Sequence, residues 1–333
     1  MKKALVLSLL LFSNNLAYPE FSFADICFFG YTLESVKDVI QLYDDYDMDP
    51  NVAVLFGRLS PEFDKTADAL TARGAKSIVM LQDLLFELVT IQEADCRDYG
   101  SNLQVEGRIG LKLLDDWQSN LKEFIETRKD YLNSGNVMML VPVTEPNNSC
   151  IPTRQIEEFA RYVKSLGVDK PLAISYGMWY QSEENKALPI PRVFPVNIDI
   201  FGFYNYAVFD PNDSNNPLNP GGIWESQWNE IKSKLGSKKA VMVINSYCAS
   251  YTFNMLGWIL GCEDRSVNTY APLTYAWRDW ALKEPSVVGI LAFGWDFDGS
   301  GHNFSGARDL PESIRNAHRS IIDSIDCSYP ANE

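Results

Sequence analysis

Val137-Met138-Met139-Leu140-Val141-Pro142-Val143 runs without a polar break into Thr144-Glu145-Pro146. An unbroken apolar run of this length reads as a strand buried on both faces, as in a parallel sheet. Seven further runs share its character: Ile26–Gly30, Val52–Phe56, Ser77–Leu81, Leu172–Ser175, Ile198–Phe203, Ala240–Ile244 and Val287–Phe293. Each opens onto a polar or aromatic loop and then a helical pattern. The clearest helices are expected over Leu33–Tyr43, Pro61–Arg73, Val105–Leu132, Arg154–Leu166, Trp224–Leu235, Leu273–Leu282 and Pro311–Ile325. A short, weaker one is expected over Tyr180–Leu188. Ser60-Pro61-Glu62 marks one helix start, with Ser60 at the cap and proline in the first turn. Eight strand–helix alternations imply an α/β protein, a single-domain (β/α)8 TIM barrel. An open doubly wound sheet is the alternative, but no G-x-G-x-x-G follows the first run.

The chain has 333 residues, long for one domain but ordinary for such a barrel, and 46% of them are hydrophobic. A net charge of −15 argues against nucleic acid or an anionic membrane surface as partner, since both select basic faces. Lys2 and Lys3 followed by apolar Ala4–Phe12 read as a secretion signal, with small residues at Ala17 and at Ser22 and Ala24 for cleavage. The expected division is a signal peptide over 1–24 and a barrel over 25–333, in a protein that is secreted or periplasmic. Six cysteines, Cys27, Cys96, Cys150, Cys248, Cys262 and Cys327, lie behind that signal, an even count that suggests disulfides. In a closed ring the first strand and last helix are neighbours, which pairs Cys27 with Cys327. The loops after the third and fourth strands pair Cys96 with Cys150, and the loop after the seventh pairs Cys248 with Cys262.

A barrel of this kind collects its chemistry where its strands end. Glu145 stands there, directly after the fourth run. Partial burial beside aromatic rings would keep its carboxyl protonated near neutrality, as a general acid needs. The competing reading is a glutamate that caps the helix near Thr153. Trp179, Tyr180, Tyr204, Tyr206, Tyr247, Trp258 and Trp295 also fall at or after strand ends, and about half are expected to be packing residues. A rim of this composition suits a saccharide, whose C–H faces pack on rings while its hydroxyls seek Asn, Asp and Arg partners. Trp224, Trp228, Trp277 and Trp280 have helical spacing and are expected to pack against the barrel. Other chemistries find little support. There are only two histidines, His302 and His318, too few for a multi-histidine zinc site. No G-x-S-x-G elbow and no phosphate-binding Gly-rich loop occurs. Asp296-Phe297-Asp298-Gly299 resembles the opening of a calcium loop without its downstream glutamate. No metal and no cofactor is expected.

These residues carry a resemblance. The chain looks like the large clan of retaining (β/α)8 glycoside hydrolases that includes the cellulase and mannanase families. In that clan an Asn-Glu-Pro sequence ends the fourth strand and its glutamate is the acid/base, which Thr144-Glu145-Pro146 matches except at the first residue. The clan's arginine after the second strand corresponds to Arg58, its aromatic after the sixth to Tyr204 and Tyr206, and its sugar-stacking tryptophan after the eighth to Trp295. The resemblance implies hydrolysis of a glycosidic bond; Asn205, Trp179, Asn245 and Tyr247, which also fall at strand ends, are read as further substrate contacts. The clan's nucleophilic glutamate ends the seventh strand, where this chain has Val243-Ile244-Asn245-Ser246-Tyr247. Asp296 is the preferred replacement, acting as base on a water. Asp298 and Asp199, within Ile198-Asp199-Ile200, are the other candidate acids. Asp199 is equally readable as an ion-pair member. The expectation is a monomeric glycoside hydrolase acting on an oligo- or polysaccharide. The alternatives are a barrel that binds carbohydrate without cleaving it and a lyase or hydrolase of a non-sugar substrate.

Overall fold

The structure, a computed structural model, describes residues 27–99, 106–178, 190–205, 223–245, 248–249, 267–293, 295, 304–309 and 311–325. All eight expected strands are present: Phe28–Leu33, Val52–Phe56, Lys76–Met80, Val137–Val141, Ala173–Met178, Ile200–Asn205, Lys239–Asn245 and Val287–Phe293. They form one sheet in which the first strand pairs with the second and the eighth, and every full ladder is parallel. The ring is drawn together between the fourth and fifth strands by two single-residue parallel bridges, Leu140 to Leu172 and Thr144 to Ser175. At this seam the Leu140 amide donates to the Pro171 carbonyl at 3.0 Å and the Glu145 amide to the Ser175 carbonyl at 2.6 Å. The fold is therefore a nearly closed (β/α)8 barrel.

Alternation along the strands sorts their side chains into two cores. On the second strand Val52 and Val54 face the barrel axis with Phe28, Ile78, Met139 and Val241. Ala53 and Leu55 face outward, where they join Phe29, Phe124, Phe159, Phe203 and Trp277 under the helices. Burying a side chain of this size contributes about 1.5–3 kcal/mol each. The ring of Phe28 fills the space beside Gly289, where an added Cβ would lie 2.2 Å from it. The expected helices occur at Val36–Ile40 (continuing as a wider turn to Asp45), Pro61–Thr71, Thr153–Ser165, Ile223–Leu235, Val267–Ala281 and Glu312–Ser324. Ser60 holds the cap position before Pro61, although its hydroxyl makes no capping bond. Trp228 and Trp277 are buried, and both meet Trp280 edge-on. His318 is also fully buried, its Nδ1 lying 2.6 Å from the Tyr31 hydroxyl. The Tyr180–Leu188 helix lies outside the described residues.

One expected element is overturned. The stretch read as a helix over Val105–Leu132 begins as a strand, Ile109–Leu113, paired antiparallel with Phe86–Thr90. Helix begins only at Trp117 and runs in two pieces, Trp117–Thr127 and Lys129–Asn133. The hairpin is set by a residue that must be small: a Cβ on Gly110 would fall 2.7 Å from Ser149 Oγ and 2.8 Å from Ile91. This excursion after the third strand lies against the loop that follows the fourth, and the expected disulfide Cys96–Cys150 joins the two. Cys27 is also disulfide-bonded. Cys327, Cys262 and the side chain of Cys248 lie outside the described residues, so those two pairings stay as expectations.

Candidate active site

The site is built around the turn that ends the fourth strand. Glu145 takes a left-handed backbone conformation, φ 49° and ψ 46°, immediately before a single 3-10 turn over Pro146–Ser149. A β-carbon makes that conformation uncomfortable, at a cost of about 1–3 kcal/mol, and it persists only where the surroundings enforce it. Cys150, at the far end of the same turn, shares it with φ 52°. Two strained residues five apart in one loop call for strong anchors.

The anchors are on every side. From the short turn after the third strand, Gln82 Oε1 accepts both the Thr144 amide at 3.0 Å and its hydroxyl at 2.8 Å. Across the seam, the Asn147 side chain pairs with the backbone of Gly177 twice. Its Nδ2 donates to the carbonyl at 2.9 Å and its Oδ1 accepts from the amide at 3.2 Å. Asn147 is fully buried, so one amide side chain stands in for the missing stretch of strand and satisfies backbone groups that would otherwise be orphaned. From the hairpin, the Leu111 amide donates to Ser149 Oγ at 2.7 Å, and the Cys96–Cys150 bond ties the end of the turn. The buried Tyr99 hydroxyl then donates to the Ile151 carbonyl at 2.6 Å.

The carboxyl of Glu145 sits inside this frame. Asn148 Nδ2 donates to Oε2 at 2.6 Å, which favours the charged form. Enclosure by protein works the other way and is the stronger influence, pushing the pKa up to about 7. The residue as a whole keeps part of its surface open, so its proton can be exchanged. The alternative of Glu145 as a cap for the helix at Thr153 fails, because Asp98 Oδ2 accepts the Thr153 amide at 2.6 Å.

Other sequence candidates fall in different places. Arg58 follows the second strand as expected, but its Nε donates to Asp83 Oδ2 at 2.9 Å and its guanidinium lies 5.1 Å from the Phe56 ring centre. Asp199 is not near the mouth. It precedes the sixth strand, at the end of the barrel opposite Glu145, where Oδ2 accepts the Leu172 amide at 2.9 Å and lies 3.7 Å from Lys164 Nζ. It is a half-exposed ion-pair residue and cannot serve Glu145. Trp295 offers no open face for a sugar: it is fully buried, edge-on to Tyr31 at 5.2 Å and to Tyr46 at 5.3 Å. Its amide donates to Thr32 at 3.4 Å, which draws the chain after the eighth strand inward and makes the ring part of the core. Tyr204 and Asn205 end the sixth strand and Asn245 ends the seventh, as read, with their side chains outside the described set. Trp179, Tyr206, Tyr247, Asp296 and Asp298 also lie outside the described residues.

Sequence reading missed Asn147 and Gln82. Asn147-Asn148-Ser149 reads as an N-glycosylation acceptor in a eukaryotic host, yet Asn147 is enclosed and doubly bonded, so in this fold it carries no glycan. Its true partner lies 30 residues on, across a seam that no local pattern announces. Among the described residues there is no group of three or more His, Cys, Asp or Glu side chains able to hold a metal ion, and no helix is long and apolar enough to cross a membrane.

No protein-family profile matches the chain, and neither does any curated protein. Solved structures do. A GH113 β-1,4-mannanase superposes with a TM-score of 0.53 at 13% identity, covering 90% of this chain and 99% of the mannanase. An endo-1,4-β-xylanase from Caldicellulosiruptor owensensis gives 0.51 at 12% identity, over 88% and 96% of the two chains. A β-glucuronidase from Ruminococcus gnavus gives 0.55 at 10% identity, with 91% of this chain matching 50% of the larger enzyme. The chain thus shares the (β/α)8 barrel architecture of these enzymes, and identities this low speak to fold alone.

Proposed function

We propose that the protein is a secreted glycoside hydrolase of oligo- or polysaccharides in which Glu145 is the general acid. The observation that carries this reading is a carboxyl on a turn at the end of the fourth barrel strand, a turn fixed by five separate anchors, in a strained backbone conformation, and protonated up to about pH 7. Strain maintained at such expense is a signature of a working residue. In the reaction, protonated Glu145 gives its proton to the glycosidic oxygen as the C–O bond breaks, and a second carboxylate takes a proton from the attacking water. Asp296 is the proposed partner, with Asp298 next. A carboxyl separation of about 6.5–9.5 Å means inversion and about 5–5.5 Å retention. Arg58, Tyr204, Asn205, Tyr206, Trp179, Asn245 and Tyr247 are the proposed saccharide contacts, acting in a monomer without a cofactor. Residues 1–24 are proposed as the removed secretion signal, and the Cys96–Cys150 bond suits the oxidising compartment that follows.

A second reading has its own support: the seventh strand ends in Asn245, where clan members carry the nucleophile. On that reading the barrel binds saccharides and does not cleave them. One screen separates the two. Wild type and Glu145→Gln are applied to a panel of glycans, with binding and product release both followed. Hydrolysis that falls at least a hundredfold in the variant supports the acid role. Binding without product, unchanged in the variant, supports the non-catalytic barrel. Wild-type rates in Glu145→Gln remove that residue from the mechanism.

A further inference from the structure

Beneath the Glu145 turn the barrel axis is not filled. A cavity of about 40 Å³ lies there, room for roughly three water-sized groups. Its walls are mostly apolar, with Met80, Met139, Val141 and Ala173 among them, and Thr32, Thr144 and Ser175 complete the lining. Ser175 is only 7% exposed, and its hydroxyl has no hydrogen-bond partner among the described residues. Its own carbonyl receives the Glu145 amide, so the hollow and the acid share a wall. Thr32 faces the same hollow and is part-exposed, which places the opening at the barrel mouth.

A bare sugar hydroxyl pushed among thioether and methyl groups would lose its water without regaining partners. A group with a methyl at one end and a carbonyl oxygen at the other meets both halves of the lining. We propose that this cavity receives an O-acetyl group carried by the bound saccharide; the proposal rests on the carbohydrate reading above and narrows it to O-acetylated substrates. Burial of the methyl is worth roughly fourfold in affinity and a hydrogen bond from Ser175 roughly fivefold, together roughly twentyfold over the deacetylated compound.

The test titrates wild type with one oligosaccharide preparation before and after mild-base deacetylation, by calorimetry, and follows the 13C-methyl signals of Met80 and Met139. The acetylated form should bind roughly twentyfold tighter and move both methionine signals. Ala173→Leu, which fills the hollow, should level the two affinities by weakening only the acetylated form. Ser175→Ala, which keeps the volume, should cost roughly fivefold if the leucine variant does not fold. Equal affinities for the two preparations in wild type overturn the acetyl pocket while leaving the carbohydrate reading intact. If neither preparation binds, the carbohydrate reading falls, and methyl acetate decides the pocket alone. Shifts at Met80 and Met139 that vanish in Ala173→Leu uphold it as an acyl site, and unmoved signals overturn it.

Discussion

Glu145→Gln should make the protein less active and more stable, and the gain in stability should depend on pH in a defined way. An ordinary glutamate gives up its proton near 4.5, whereas Glu145 holds it to about 7. Between those values the folded chain binds a proton that the unfolded chain has released. Stability is therefore intact below about pH 4.5, declines as the pH rises through the interval, and stays reduced above 7, where the carboxylate is forced to be charged in an enclosed setting. Each tenfold difference in proton affinity is worth about 1.4 kcal/mol, which caps the penalty at about 3.5 kcal/mol. Because part of the residue remains open to solvent, an effect of about 1–3 kcal/mol is expected. Glutamine keeps the shape and the contact with Asn148 and never ionises. Urea denaturation at pH 8 should show the variant more stable by that amount, and at pH 4.5 the two proteins should coincide. The rate of product release should meanwhile fall at least a hundredfold, and in wild type kcat/KM should decline as the pH rises past 7. A variant no more stable than wild type at pH 8 would refute the enclosure of the carboxyl, and with it the origin of its acidity.

Three further expectations follow from the frame around that residue. Asn147→Ala strips both partners from the Gly177 backbone groups, and each buried unpaired group costs about 1–3 kcal/mol, so the melting temperature should drop by several degrees and activity should fall with it; an unchanged Tm would show that Asn147 does not hold the seam. Removing the Cys96–Cys150 bond, which spans 54 residues, should cost up to about 4 kcal/mol by loop entropy, read as a lower urea midpoint for the double serine variant. Arg58→Ala breaks a half-exposed ion pair with Asp83 and should alter stability by less than about 1 kcal/mol, while weakening saccharide affinity if the guanidinium contacts ligand; calorimetry separates the two effects.

The barrel was legible because its strands are buried on both sides and therefore spell unbroken apolar runs; the second and eighth, Val52–Phe56 and Val287–Phe293, coincide with their sequence limits. The place of Glu145 at a strand end was legible for a related reason, as a lone carboxylate following one of the two longest such runs, before Pro146. The hairpin was not. Leu111, Leu114, Trp117 and Leu121 recur every three or four residues and imitate a helix across the junction, while the partners of Ile109–Leu113 lie 19 to 27 residues upstream. Trp295 was misread because burial depends on the neighbours Tyr31 and Tyr46, which are brought to it only by ring closure. Asn147 hid behind a glycosylation pattern for the same reason: its meaning resides in Gly177.

The main-chain bond from Glu145 to Ser175 has a consequence for anyone who would rearrange this chain. It is at once the uppermost rung joining the fourth and fifth strands and the mount of the proposed proton donor. A circular permutant with new ends cut between those strands would unfasten both together, whereas one cut between the first and second strands would leave donor and fastening whole. Among permuted versions of the protein, catalytic competence should therefore track the site of the cut more closely than the recovery of helix and strand.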